Sequence, residues 1–255
     1  DFGIRIKYSI EHEPLGTGGA IAHAAQQLNL APDESFFVFN GDVISAHDLT
    51  EQNEIHQRTG AQATLHLVEV EDARAYGCVP LDDDGRVQQF LEKMENPIAK
   101  TINAGCYILT SNVVAAIKPG EVVSVERETF PKLLESGARV TGFVDSQYWI
   151  DMGTPQSLIQ ASRDLILVPG RTSLRTGATN GSLISTGAKV DPTARIGEGS
   201  CIEDGAVIGA GAIISGSIIS AGAKIDAGVV IIDSFIAPDT RVISGSSLNN
   251  VIFGY

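Results

Sequence analysis

Five short segments carry side chains able to do chemistry. Asn40-Gly41-Asp42 follows the apolar run Ser35 to Phe39. It sets a carboxylate at the C-terminal end of a strand, on a glycine turn, where it could hold a metal ion or a ribose; an Asx turn has the same composition. Tyr148-Trp-Ile-Asp151-Met-Gly-Thr-Pro155 places a second Asp in the same local setting, between an apolar run and a capped helix. Asp151 could itself cap that helix, although Thr154 is better placed for it. The two Asp are 109 positions apart, and as hard oxygen ligands they could share one Mg²⁺, which usually takes one or two carboxylates and completes its shell with water and phosphate. Glu11 to Ala20 contains Gly16-Thr17-Gly18-Gly19, a glycine-rich loop opening a helix, a place where backbone N–H groups approach a ligand. It is neither a Walker A loop nor G-x-G-x-x-G. Lys93, after Phe90-Leu-Glu92, is a candidate phosphate ligand, though exposed Lys are common. Asn103 stands inside an otherwise apolar strand and needs partners, from a sugar hydroxyl or from the backbone.

The elements that must position these residues alternate between strand and helix. Strands are expected at Ile4–Ile10, Ser35–Phe39, Thr64–Val70 and Ile102–Leu109, with two more between Val79 and Phe90 joined by the acidic turn Asp82-Asp-Asp-Gly85. Helices are expected at Gly18–Leu30, from Asp48 to about Arg58, at Val125–Leu134 and at Pro155–Leu165. Asp48 and Glu51 have capping-box spacing, and Pro155 stands at the first helical position after Thr154. Residues 1–165 thus read as an α/β domain on a mostly parallel sheet, with an antiparallel insertion around residues 77–110. In such sheets ligands bind beyond the C-terminal ends of the strands.

The last third has another period. Ile184, Val190, Ile196, Ile202, Ile208 and Ile214 recur every six residues, with small and polar residues between them. A hexapeptide β-helix has this period, and neither a helix nor a flat strand does. The register breaks after Ile214 and resumes as Ile225 and Ile231, then Ile236, Val242 and Leu248, which suggests a bulge or a shortened corner near Ser217–Ser220 and another near Phe235. Residues 184–255 would make about four coils, with 166–183 as linker. Many hexapeptide coils belong to acyltransferases that use a His base. All five His lie at or before position 66, so an assembly or regulatory role suits the coils better.

The 255 residues divide in composition as well. Of 27 Gly, 13 fall in residues 1–169 and 14 in the much shorter remainder. The net charge of −13 divides as −12 and −1. An acidic surface argues against nucleic acid or an anionic bilayer as partner, and no run approaches the roughly 18 apolar residues of a membrane span. Cys78, Cys106 and Cys201 form an odd, scattered set without C-x-x-C, which predicts reduced, mostly buried thiols and a cytoplasmic protein. The sequence enters a strand-like stretch directly after Asp1, and its last coil lacks a polar cap, so a piece of a longer chain is expected.

Taken in order, Pro14-Leu-Gly-Thr-Gly-Gly19, Phe39-Asn-Gly-Asp42, Tyr76-Gly77, Glu92-Lys93, Asn103-Ala-Gly105, Val125-Glu-Arg-Glu-Thr-Phe-Pro131 and Trp149-Ile-Asp-Met-Gly153, followed by hexapeptide repeats, resemble the nucleoside-diphosphate-sugar pyrophosphorylases, or sugar-1-phosphate nucleotidyltransferases. The likeness is closest to bacterial mannose-1-phosphate guanylyltransferases and covers essentially the whole chain. It implies a Rossmann-like catalytic domain followed by a left-handed parallel β-helix that mediates homo-oligomer assembly. It also implies that Gly16 and Thr17 line the base and ribose, that Asp42 and Asp151 hold Mg²⁺, that Gly77, Glu92 and Asn103 contact the sugar, and that Lys93 holds the sugar phosphate. Asp42, Lys93 and Asp151 would be the catalytic set. The implied substrates are a nucleoside triphosphate and a sugar 1-phosphate. GTP with mannose 1-phosphate leads, glucose 1-phosphate with UTP, dTTP or ATP follows, and a non-catalytic nucleotide-sugar sensor is the rival. Met94 stands where the family often has Pro. The family's leading strand and Arg-containing glycine loop, which wraps the triphosphate, has no counterpart in this sequence, so the chain alone is expected to be inactive or very weak.

Overall fold

The computed structural model describes residues 3–91, 95–168 and 181–254. Its packing divides the chain into two compact units, Asp1–Trp149 and Ile150–Tyr255.

In the first unit, α1 (Gly16–Ala25), β1 (Ser35–Phe39), β2 (Val43–Ser45), α2 (Leu49–Thr59), β3 (Ala63–Glu69), β4 (Thr101–Thr110) and α3 (Ser111–Ala115) precede a π-helical turn at Val125–Thr129. The turn runs into α4 (Phe130–Glu135), and β5 (Val140–Asp145) follows. One sheet has the order β1-β4-β3-β5. β3 and β5 pair in parallel, while β4 is antiparallel to both β1 and β3. β1, β3 and β5 therefore share a direction, and the reversed strand is the one contributed by the insertion expected around residues 77–110. The core gathers Leu65, Leu67, Tyr107, Leu109, Phe130 and Val140. Every residue of β3 but Glu69 is buried, as in a strand covered on both faces. Asp48 caps α2: its carboxylate accepts from the Thr50 and Glu51 N–H groups, the forward half of the expected capping box, and Gly60 closes the helix in the left-handed region.

Three elements differ from expectation. Ile4–Ile10 is not a strand: Ile4 is 66% and Tyr8 80% exposed. Aliphatic composition suits a strand, but a ladder needs a neighbour, and this stretch is instead tied to the end of α1 and the turn after it by side chains: Lys7 to the Gln27 carbonyl, the Gln27 amide to the Tyr8 carbonyl, and His23 Nε2 to the Ile10 carbonyl. α1 stops at Ala25 and not near Leu30, with Asn29 in the left-handed region. The expected single helix at Val125–Leu134 is two pieces. The Phe130 N–H reaches back five residues to the Val125 carbonyl, and Pro131, which follows it, has no N–H to continue an α-helical ladder. Between Val79 and Phe90 the expected hairpin is present in narrow form, with Leu81 bridging Val87 and the Asp82 carboxylate accepting from the Asp84 and Arg86 N–H groups.

The second unit opens with α5 (Pro155–Leu167), capped by Thr154 in a reciprocal box with Ser157. Short strands from Leu183–Ile184 to Ile252–Phe253 then stack into three parallel sheets. Ile184, Ile202, Ile219, Ile236 and Phe253 form one inter-coil column, Val190, Ile208, Ile225 and Val242 a second, and Ile196, Ile214, Ile231 and Leu248 a third. The coil is the expected hexapeptide solenoid, and its slips are shortened corners. Five residues separate Ile214 from Ile219, and the same shortening recurs before Ile236 and Phe253. Register thus resumes at Ile219, one hexad earlier than the sequence suggests. Gly216, Asp233 and Asn250 take positive φ (54°, 44° and 54°) at these corners. Inside them the buried Ser217 and Ser234 bridge coils: each hydroxyl donates to a carbonyl two residues back (Ser215 and Ile232) and accepts an N–H from the next coil (Ser234 and Val251). α5 packs on the same corner. Arg163 Nη2 lies 2.6 Å from Asp233 Oδ1, and a Cβ on Gly199 or Gly216 would stand 2.7 Å from Arg163 Cγ or 1.8 Å from its Nη2. By packing, α5 therefore goes with the solenoid, although the α/β part read from the sequence runs to residue 165. Residues 169–180, most of the expected linker, lie outside the described residues.

Candidate active site

The best-defined polar constellation forms where β1 ends beside an irregularity in β4. The Asn40 N–H donates to the Gly105 carbonyl at 2.8 Å. Across the sheet Leu65 faces Tyr107 and Leu67 faces Asn103, so Ala104, Gly105 and Cys106 oppose His66 alone. In a regular strand four residues would separate Asn103 from Tyr107 by about 13 Å; the bulge folds up that length. Gly105 makes it possible, with φ of 78° and little room for a side chain, since a Cβ would sit 3.0 Å from Asn40 Nδ2.

Asn103 Nδ2 consequently donates to the Tyr107 hydroxyl and to Glu126 Oε1, both at 2.7 Å, while Asn103 Oδ1 accepts the Gly105 N–H at 3.1 Å. Tyr107 is buried, and its ring meets Phe130 edge-on at 5.3 Å. Burial pushes its phenol well above the usual range, and the Glu126 charge adds to the effect; Asn40 also bonds the hydroxyl. Glu126 comes from the π-helical turn, a feature frequent at functional sites. Trp149 Nε1 donates to the Ala104 carbonyl at 2.9 Å and its ring meets Tyr76 edge-on at 6.1 Å. Gly77 follows Tyr76 and precedes Cys78, which bridges both Leu91 and Ile102. Glu92 and Lys93 continue from Leu91 but lie outside the described residues.

A cleft of about 150 Å³ adjoins this network, lined by Phe39, Asn40, Val43, Ser45, His47, Leu49, Gly105 and Cys106. In its wall His47 bonds Ser45 and Gln52, and stacks on the fully buried His66 at 3.8 Å. Burial and then the neighbouring His47 lower His66 to about 3. Burial raises the Cys106 thiol to about 12, which leaves it inert as a nucleophile.

The glycine-rich loop is used differently from the reading that its N–H groups face a ligand. Gly18 and Gly19 donate to the Val123 carbonyl at 2.8 and 3.3 Å, and Thr17 Oγ1 accepts the Val125 N–H at 2.9 Å. A Cβ on Gly16 would stand 2.7 Å from the Val123 oxygen and one on Gly19 2.4 Å from the Glu121 oxygen. These glycines permit close backbone packing that holds the segment leading into Glu126. Asp42 is exposed on its turn, and no ion pair or hydrogen bond engages its carboxylate among the described residues. Asp151 belongs to the second unit, at the end of a strand, Trp149–Asp151. Its Oδ1 accepts the Gly153 N–H at 2.7 Å, leaving the other oxygen for a ligand. Each carboxylate, taken by itself, has an open oxygen of the kind a hard cation takes. Asn40, Tyr107, Glu126 and Trp149 are the contributors to which the sequence alone assigned no role; Asn40, Glu126 and Trp149 stand in the quoted motifs, and Tyr107 only in the expected strand Ile102–Leu109.

The described residues thus combine a mixed α/β sheet with a polar network at a strand end and, in the second unit, hexapeptide coils. The nucleotidyl transferase family profile matches residues 1–166, and the chain belongs to that family. It is 45% identical over 193 residues to the mannose-1-phosphate guanylyltransferase of Mycobacterium tuberculosis, covering 75% of this chain and 53% of that protein. It is 38% identical over 197 residues to mannose-1-phosphate guanylyltransferase 1 of Arabidopsis thaliana, covering 77% and 54%. The chain thus spans about half the length of these relatives. Among solved structures it is similar to HddC from Yersinia pseudotuberculosis, at 31% identity and a TM-score of 0.49, covering 59% of this chain and 63% of that one.

Proposed function

We propose that the protein transfers a nucleotidyl group from a nucleoside triphosphate to a sugar 1-phosphate, with GTP and mannose 1-phosphate as the pair, giving GDP-mannose and pyrophosphate. The observation that carries this reading is the meeting of three separate motifs, Asn40 from the first, Asn103 and Gly105 from the second and Glu126 from the third, in a chain 45% identical to an enzyme named for that reaction.

In this reading a phosphate oxygen of the sugar 1-phosphate attacks the α-phosphorus of the triphosphate. The bond from that phosphorus to the bridging oxygen breaks, and pyrophosphate leaves. The nucleophile is already an anion, so no general base is needed, and the work of the protein is positioning and charge neutralisation. Asn103 and Gly77, with Glu92, hold the sugar; Lys93 holds its phosphate; Gly16 and Thr17 line the nucleotide. Asp42 and Asp151 hold Mg²⁺, which when bound neutralises phosphate charge. The free thiols of Cys78, Cys106 and Cys201 support a cytoplasmic setting, and among the described residues no helix is long and apolar enough to cross a membrane. Outward-facing aliphatics on the coils, such as Ile213 and Ile243, support assembly into a homo-oligomer.

The test is pyrophosphate release by the full-length protein across a panel of triphosphates and sugar 1-phosphates. Release highest with GTP and mannose 1-phosphate is expected. A preference for glucose 1-phosphate with another base would reassign the substrates, and no release with any pair would favour a nucleotide-sugar sensor.

A further inference from the structure

The hydrogen-bonding capacity of Asn103 is nearly full. An amide side chain has two N–H donors and two acceptor lone pairs. Both donors are spent, one on the Tyr107 hydroxyl and one on Glu126 Oε1, and one lone pair takes the Gly105 N–H. One acceptor position remains. Three features fix this state. The bond to Glu126 is charge-assisted and 2.7 Å long. The Tyr107 hydroxyl is anchored on a buried ring. The bulge sets the Gly105 N–H against Oδ1, and that contact identifies the oxygen end of the amide.

We propose that Glu126 is a positioning residue that locks the Asn103 amide so that it presents an acceptor, and only an acceptor, to the ligand. The group that meets Asn103 is then a donor: a sugar hydroxyl, never a phosphate oxygen. Without the carboxylate, one Asn103 donor is released, the amide is free to flip, and its discrimination between hydroxyl and phosphate is lost. The ligand side of this inference rests on the reading that Asn103 faces the sugar; the lock itself does not.

The test has two arms, both on the full-length protein. In the first, the side-chain NH₂ of Asn103 is followed by ¹H–¹⁵N NMR and identified by its disappearance in Asn103→Asp. Slow exchange with solvent in the wild type and fast exchange in Glu126→Ala are expected; exchange as fast in the wild type as for an exposed Asn overturns the lock whether or not the protein turns over substrate. The second arm is kinetic. Glu126→Ala is expected to raise KM for the sugar 1-phosphate about ten-fold or more, as befits a hydrogen bond to a charged group, with KM for the triphosphate within about two-fold. Asn103→Asp alone sets two carboxylates together and is expected to be worse. The reciprocal pair Asn103→Asp/Glu126→Gln returns a donor to an acceptor across the same gap and is expected to recover most of the loss, which a merely structural role of Glu126 would not predict. An unchanged KM for the sugar phosphate in Glu126→Ala, or a reciprocal pair no better than Asn103→Asp, overturns the proposal. A wild type that releases no pyrophosphate with any sugar 1-phosphate overturns the functional reading instead, and the NMR arm still decides the lock.

Discussion

Asn103 holds the centre of the polar network at the end of β1, bonded to Tyr107, Glu126 and the Gly105 N–H. A lone amide in an otherwise apolar strand demands partners, and that demand is visible in one dimension. The identity of the partners is not. Tyr107 lies four residues away in an alternating run and reads as ordinary core, because nothing in the pattern announces the bulge that brings the two together. Gly105 is the physical hinge of this arrangement, and replacing it with Ala tests it. The added Cβ would meet Asn40 within 3.1 Å at a φ of 78°, and strain of that kind costs about 1–3 kcal/mol. Urea denaturation is expected to show a loss in that range for Gly105→Ala, with KM for the sugar phosphate raised as Asn40 and Asn103 shift. Unchanged stability would mean that the bulge is not held as described. The placement of Asp42 on a turn and of Asp151 at a strand end ahead of a capped helix was legible from the apolar runs before them. The contact of Glu126 with Asn103 was not, since a Glu in a charged helical stretch looks like a solvated face.

At the scale of elements, helix caps and the buried strands were readable from composition, because Asp48, Thr154 and Pro155 act on their immediate neighbours. Elements that depend on distant partners were not. Ile4–Ile10 has the residues of a strand without a ladder, and Val125–Leu134 has the periodicity of one helix but a ladder redirected ahead of Pro131. β3 adds a titration that no periodicity shows. It buries His66 with both ring nitrogens unpartnered against His47, whose own value is lowered by burial, with Gln52, Asp145 and Asp48 opposing. A His lowered to about 3 in the folded state is protonated more readily when unfolded. Stability from this group is complete above about pH 6.5 and is lost as pH falls toward 3, by up to about 1.4 kcal/mol per pH unit. Urea midpoints between pH 7 and 4 are expected to fall for the wild type and to fall less steeply for His66→Phe; parallel curves would show that other groups govern the acid limb.

Over the whole molecule, the two compositions in the sequence correspond to two kinds of architecture, an acidic α/β unit and a glycine-dense, nearly neutral coil. The period of six was the strongest signal, since every hexad meets the same two physical demands, an aliphatic side chain inside and a small residue at the corner. The allocation of α5 was hidden, because the contact between Arg163 and Asp233 spans 70 positions and uses a corner column of glycines. As a partly exposed ion pair it is worth about 0–1 kcal/mol, with packing on Gly199 and Gly216 added. Arg163→Ala is therefore expected to raise amide exchange across Pro155–Leu167 while the coil strands stay protected; uniform loss of protection would show that α5 does not dock independently. The proposed activity stands or falls on the transfer itself. ³¹P NMR of the full-length protein with GTP, mannose 1-phosphate and Mg²⁺ reads it most directly. The prediction is GDP-mannose and pyrophosphate appearing together, with Asp42→Asn and Asp151→Asn each slowing both by about 100-fold or more at unchanged circular dichroism. Full-rate transfer by either variant, or no GDP-mannose from the wild type, would contradict it.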